Sequence, residues 1–165
     1  MVKKESSNSK KGTRACCMFA SLHKDIVDAV SHSIDSIWFC ESDSNRGAIN
    51  IYTTHVMGKF RCPTKTCRTN SWASRKVAIL IRGFAENGYN AVVFNQRCKA
   101  CNKLGDLTLD EKSYIDRVAY RVQKWAGIPM HQQYYARQRG KPHEREFCEG
   151  CKRGVCRQTN DYEYD

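Results

Sequence analysis

Seven of the ten cysteines and one histidine are spaced as metal ligands: Cys62-x4-Cys67, Cys98-x2-Cys101 and His143-x4-Cys148-x2-Cys151-x4-Cys156. Thiolates this close can set their sulfurs about 2.3 Å from one zinc ion, and four donors complete the tetrahedron of a closed structural site. The simplest allocation gives Cys62, Cys67, Cys98 and Cys101 to one zinc and His143, Cys148, Cys151 and Cys156 to a second, so two structural ions are expected. The alternatives let Cys148 and Cys151 complete the first site and leave His143 as a surface histidine. His55 and His131 read as non-ligands. Cys16, Cys17 and Cys40 read as buried helix residues or free thiols. Cys98-Lys99-Ala100-Cys101 also has the spacing of a redox pair, but a second cysteine pair nearby favours metal.

A catalytic zinc keeps one position open for water or substrate. Here the ligands fill two closed shells. There is no His-Glu-x-x-His, nucleophile elbow, P-loop or dinucleotide fingerprint. Glu144, Glu146 and Asp116 are not brought by any motif into acid–base geometry. The expectation is a protein without enzymatic activity.

The charge is concentrated beside the first ligand group. The formal net charge is +11, and residues 59–105 hold ten basic side chains against a single acidic one, Glu86. Seven ionised cysteines and two zinc ions would leave about +8, because ligating thiols lose their protons. Such an excess concerns partners rather than fold. Lys59, Arg61, Lys65, Arg68, Arg75 and Lys76 surround the first group, with Trp72 among them. Tyr134, Tyr135, Arg137, Arg139 and Arg153 flank the third. A basic surface with interleaved aromatic rings is what RNA or single-stranded nucleic acid requires. The competing readings are a solvated face and inward-packed aromatics. A second functional reading is a protein–protein interaction adaptor using exposed zinc loops. Neither helix has the basic face of a groove-reading element, which disfavours double-stranded DNA.

These ligands need a scaffold. The chain has 165 residues, is 41% hydrophobic and 27% charged, and so suits one globular domain with little core to spare. No run approaches the ~20 apolar residues of a membrane span. The N-terminal residues lack the apolar stretch of a secretory signal, so a reducing compartment, cytoplasm and/or nucleus, is expected. Apolar positions from Phe19 to Trp38 recur every three or four residues and predict an amphipathic helix over 19–38. Residues 48–57, 76–82 and 89–97 read as strands of a three-stranded, mostly antiparallel sheet, with Gly58 marking a bulge or bend. Residues 113–125 predict a second amphipathic helix ended by Gly127 and Pro129. The fold class is therefore α+β: a small antiparallel sheet with zinc-clamped ends, flanked by two amphipathic helices. Residues 1–14 read as a disordered basic tail, 15–157 as a single zinc-binding domain and 158–165 as an acidic flexible tail.

The combined motifs resemble a known family. Met57-Gly58-Lys59-Phe60-Arg61-Cys62-x4-Cys67, Trp72-Ala73-Ser74, Gln96-Arg97-Cys98-x2-Cys101, Asp116-Arg117-Val118 and His143-x4-Cys148-Glu149-x-Cys151-x2-Gly154-x-Cys156 look like the 3CxxC-type zinc-binding domain. The wider Cys62-x4-Cys67 is similar to fungal members. Receptor-transporting proteins and zygote arrest proteins are related. The resemblance implies zinc-ligand roles for the seven cysteines and His143. By way of the zygote arrest proteins, associated with maternal mRNA, it implies RNA as partner. Trafficking members carry a C-terminal membrane anchor, and residues 161–165 are not one.

Overall fold

Alternating apolar side chains draw the centre of the chain into a long hairpin. The computed structural model describes residues 14–131 and 143–156. The expected basic and acidic tails, Tyr134, Tyr135, Arg137 and Arg139 lie outside the described residues. In the hairpin, β3 (Asn50–Arg61) pairs antiparallel with β4 (Ser71–Phe84), from Asn50 opposite Gly83 to Arg61 opposite Ser71. The register slips between Val56–Val77 and Gly58–Ser74, so Arg75 and Lys76 bulge from β4 beside Gly58. Gly58 lets the neighbouring strand pack close, since a Cβ there would lie 2.8 Å from Leu107 Cδ1 and displace that side chain.

The sheet is larger than the sequence predicts. It has six strands, ordered β1–β5–β4–β3–β6, with β2 also on β5. The strands not foreseen are β1 (Cys16–Met18), β2 (Trp38–Phe39) and β6 (Asp106–Leu109), each four residues or fewer. β1 and β2 share the outer edge of β5 (Gly88–Phe94), β1 antiparallel at Val92–Phe94 and β2 parallel at Gly88–Tyr89. Cys16 and Cys17 thus lie on a strand, not on a helix.

One face of the sheet carries the main core. Val56, Phe60, Val77, Ile79, Ile81, Ala91 and Val93 pack against two helices, α1 (His23–Val30) and α2 (Glu111–Trp125). α2 starts where Asp110 accepts from the Ser113 backbone N–H and ends at Gly127, whose φ of +80° suits glycine. The first helix is shorter than the expected 19–38. It follows a 3-10 turn at Ala20–Leu22 and stops at Val30. The hydroxyls of Ser31 and Ser33 donate to the Asp28 and Val30 carbonyls, and Gln123 of α2 donates to Ser33. Ile34 and Ile37 remain buried, but in a turn and irregular chain that lead into β2. Helical periodicity continued there without a helix.

The opposite sheet face is covered too. Ala78, Leu80, Val92 and Phe94 form a second, smaller core with Cys148, against which Cys16, Met18, Cys151, Val155 and Cys156 pack. The cover is the C-terminal ligand segment, whose short helix α3 (Glu149–Lys152) lies flat on the strands. Gly150 makes this possible: a Cβ there would stand 2.7 Å from Ala78 Cβ and 3.4 Å from Phe94 Cβ.

Candidate metal centre

Site 1 closes the sheet end where β3 and β5 run out. Cys62 follows β3 directly, and its N–H donates to the Asn70 carbonyl across the turn, which brings Cys67 back. Cys98 and Cys101 follow β5, with the Cys98 and Lys103 backbones paired and the Asn102 N–H donating to the Cys98 carbonyl. Asn102, at φ +58°, makes the tight return. Four sulfurs thus converge within 4.8 Å of one another. Cys62–Cys101 and Cys67–Cys98 are each 3.5 Å apart. A disulfide needs about 2.05 Å, whereas a zinc tetrahedron with about 2.3 Å bonds has sulfur–sulfur edges of about 3.8 Å. The donor set fits zinc.

Site 2 gathers His143, Cys148, Cys151 and Cys156, again within 4.8 Å of one another. His143 Nε2 is 3.2 Å from Cys151 Sγ and 3.4 Å from Cys156 Sγ. Cys148 caps α3, its sulfur accepting the Cys151 N–H at 3.4 Å. The knuckle is stitched to the sheet by Gln96–Cys148 bridging, by the Arg97 N–H on the Phe147 carbonyl and by the Glu149 N–H on the Asn95 carbonyl. Arg97 Nε donates to Glu149 Oε1 at 2.6 Å. The structure thus brings together the four donors of each expected set, with Cys148 and Cys151 apart from the first group and His143 within the second.

The metal-free thiols are unequal. Burial raises Cys62, and its thiol neighbours add to this, pushing it up to about 12. At Cys98 burial also raises the value, but the Thr69 hydroxyl and the Cys101 and Ala100 N–H groups outweigh it and bring it down to about 6. The hydrogen bond with Cys156, together with those from His143 and the Cys151 N–H, lowers Cys148 to about 4 and leaves Cys156 raised. The Lys103 backbone lowers Cys101 as well, so Cys98 and Cys101 in site 1 and Cys148 in site 2 are set to ionise early, and a divalent cation drives the rest. Zinc would hold each group of four donors in place and neutralise part of their charge. No step of catalysis follows from it.

The remaining cysteines stand apart. Cys16, Cys17 and Cys40 are half-buried outside both clusters. The zinc-loaded chain is expected to show these three reactive thiols, and ten after denaturation with a chelator, alongside two zinc ions by atomic emission. Ten reactive thiols without denaturation would contradict both sites. His131 is exposed. His55 was expected to be no ligand and is not one of the four donors, yet it lies against site 2, its Nε2 3.5 Å from Cys156 Sγ. Burial and then the adjacent His143 ring hold it down at about 4, so it is neutral at pH 7.

The basic residues divide. Lys59, Arg61, Arg68 and Arg75 are exposed and Lys76 is half-buried; Arg61 lies 3.8 Å from Asp106. Register puts Lys59 and Arg61 on the face away from α1 and α2. Trp72 is not on that face. It is opposite Phe60 and stacks on it, centroids 5.1 Å apart and planes 8° from parallel, while its N–H donates to Gln96 Oε1. Trp72 fills the gap above Gly105 at the core edge, a placement set by strand alternation. Arg153 binds Asp43, at 3.2 and 3.4 Å. By sequence Arg82 reads as one of the basic residues around the first ligand group and Asp43 as part of a turn; Arg82 is instead buried and paired with Asp43, a contact between distant positions that carries no spacing signal.

A profile described as a zinc-binding domain, a zinc ribbon of the 3CxxC type, matches residues 55–154, more than half of the chain. No curated protein and no solved structure matches it.

Proposed function

The chain belongs to the 3CxxC zinc-ribbon family of zinc-binding domains, and from that membership we propose that its non-catalytic zinc module binds RNA through the basic end of the sheet around site 1. One observation carries this reading: Lys59, Arg61, Lys65, Arg68, Lys99 and Lys103 are all exposed there, on strand ends and loops that the zinc ligands hold. Lysine and arginine on rigid loops suit phosphates, which are read by charge rather than by sequence. The choice of RNA over DNA rests on the 3CxxC-type resemblance, by way of the association of zygote arrest proteins with maternal mRNA. Trp72 has no part in this reading.

Affinity for a mixed-sequence single-stranded RNA is therefore expected to fall steeply with salt. Each phosphate contact on a single strand contributes a slope of about −0.7 in log K against log salt. Lys59→Gln, Lys65→Gln and Arg68→Gln together remove up to three contacts. They are expected to flatten the slope by about 2 and to weaken binding at least about tenfold at ~50 mM salt. A zinc-loaded wild-type chain with no RNA affinity at that salt would overturn the proposal.

A specific observation favours a protein partner instead. Ile51, in the first residues of β3, is 48% exposed, and Ile49, just before the strand, is 65% exposed. Upstream of Gly58 that strand has a strand neighbour on one side only among the described residues. Absence of RNA binding would turn attention to this edge as an adaptor surface.

A further inference from the structure

We infer that His55 is a positioning residue of site 2, its Nε2–H donating a hydrogen bond to the Cys156 thiolate and holding that ligand on the metal. The placement follows from the sheet. His55 is opposite Ala78 in the β3–β4 register, so its side chain emerges on the face that the knuckle covers. Ala78 is the residue on which Gly150 of the knuckle rests. The imidazole therefore comes up between strand and knuckle, half-buried, with its Nε2 3.5 Å from Cys156 Sγ and its ring 5.7 Å from that of His143.

A buried polar ring needs a partner, and here the partner is a metal-ligating sulfur. Zinc with three thiolates and one imidazole is already four-coordinate, so a further nitrogen beside one sulfur serves the ligand, not the metal. The two outer thiolates of the knuckle are then supplied differently. Cys148 receives an N–H from within its own turn, whereas Cys156 receives one from another element across the sheet face. Donation to the thiolate disperses its negative charge and fixes its orientation, the usual work of an outer partner at a metal site. It also makes site 2 depend on β3, so that the knuckle is tied to the hairpin through a side chain as well as through packing. The two histidines should then be opposite tautomers: His143 presents a bare Nε2 to the metal and a protonated Nδ1, His55 a protonated Nε2 and a bare Nδ1.

The inference presupposes zinc in site 2, so zinc content is measured on the same sample and separates the two failures; RNA binding does not enter. Two readouts are used on the full chain. Histidine ring NMR of the unaltered, zinc-loaded protein is expected to show a proton on His55 Nε2 and none on His143 Nε2. In chelator competition, His55→Phe is expected to weaken one of the two zinc ions about tenfold or more and leave the other unchanged. His55→Gln, which retains an N–H, recovers most of that loss. A bare Nε2 on His55 in the zinc-loaded chain overturns the inference, as does a His55→Phe chain that holds both ions at wild-type affinity. If His55→Phe does not fold, the NMR result on the unaltered chain decides.

Discussion

Cys148→Ser is expected to purify with one zinc ion instead of two and to melt about 10 °C or more below wild type. The size of the effect follows from where the sulfur sits. Cys148 is 1% exposed, anchored in the second core between Phe94 and α3. Structural zinc supplies folding free energy of about 10–16 kcal/mol in small metal-dependent domains, comparable with the whole stability of an ordinary domain, about 5–15 kcal/mol. Even a third of that lost, about 4 kcal/mol, lowers the melting point by about 8–16 °C at this size. The damage spreads because residues 143–156 have almost no regular structure: one four-residue helix and one 3-10 turn. Without metal they have little reason to stay down, and Ala78, Leu80, Val92 and Phe94 lose their cover. Cys67→Ser, at the sheet end, removes a zinc ion but uncovers less apolar surface, so its melting point should fall less. Cys40→Ser, outside both clusters, should keep both zinc ions. Zinc analysis with thermal melts in the same buffer checks all three, and a Cys148→Ser chain with two zinc ions and a wild-type melt would refute the account.

The ligands were legible because zinc demands donors in short, regular spacings, and those survive as text: the structure brings together the eight residues that spacing singles out. The long hairpin and α2 were legible for the same reason, a period sustained over many residues. What escaped was short or dependent on partners. β1, β2 and β6 have too few residues for a period to show, and exist because β3 and β5 offer edges. The Phe19–Trp38 pattern misled since a 3-10 turn, a helix and the irregular chain after it each placed apolar residues toward the same core. Trp72 looked like a binding platform beside basic residues in one dimension. Alternation along β4 sends it to the other side. The knuckle also escaped as a structural layer: its residues form the second core on the far face of the sheet.

That second layer is also tied electrostatically through Asp43, and breaking this tie is the other large effect expected. Asp43, in the loop after β2, lies between two guanidinium groups. It is 2.9 Å from Arg82, whose side chain is 2% exposed, and 3.2 Å from Arg153 beside the knuckle. Asn45 and Asn90 also bind Arg82, and Asn90 holds the loop by donating to the Cys40 and Ser42 carbonyls. Burial pushes the Asp43 carboxyl up, but the two arginines outweigh it and hold it below the ordinary value. Asp43→Ala leaves Arg82 buried without its carboxylate, a change that typically costs about 3–5 kcal/mol. Arg153→Ala, at a side chain 43% exposed, should cost about 1 kcal/mol or less. Adding Arg82→Met to Asp43→Ala should recover a large part of the loss, since a buried pair exchanged for apolar groups is often close to neutral. The pH dependence has a definite sign. A carboxyl with a lowered folded value stabilises above its unfolded value of 3.8, and that contribution disappears as pH falls through the folded value. Asp43→Asn should lack this acid-side component. Denaturant melts of the zinc-loaded proteins measure each step, and an Asp43→Ala chain within about 1 kcal/mol of wild type would show that water or Asn45 satisfies Arg82 alone.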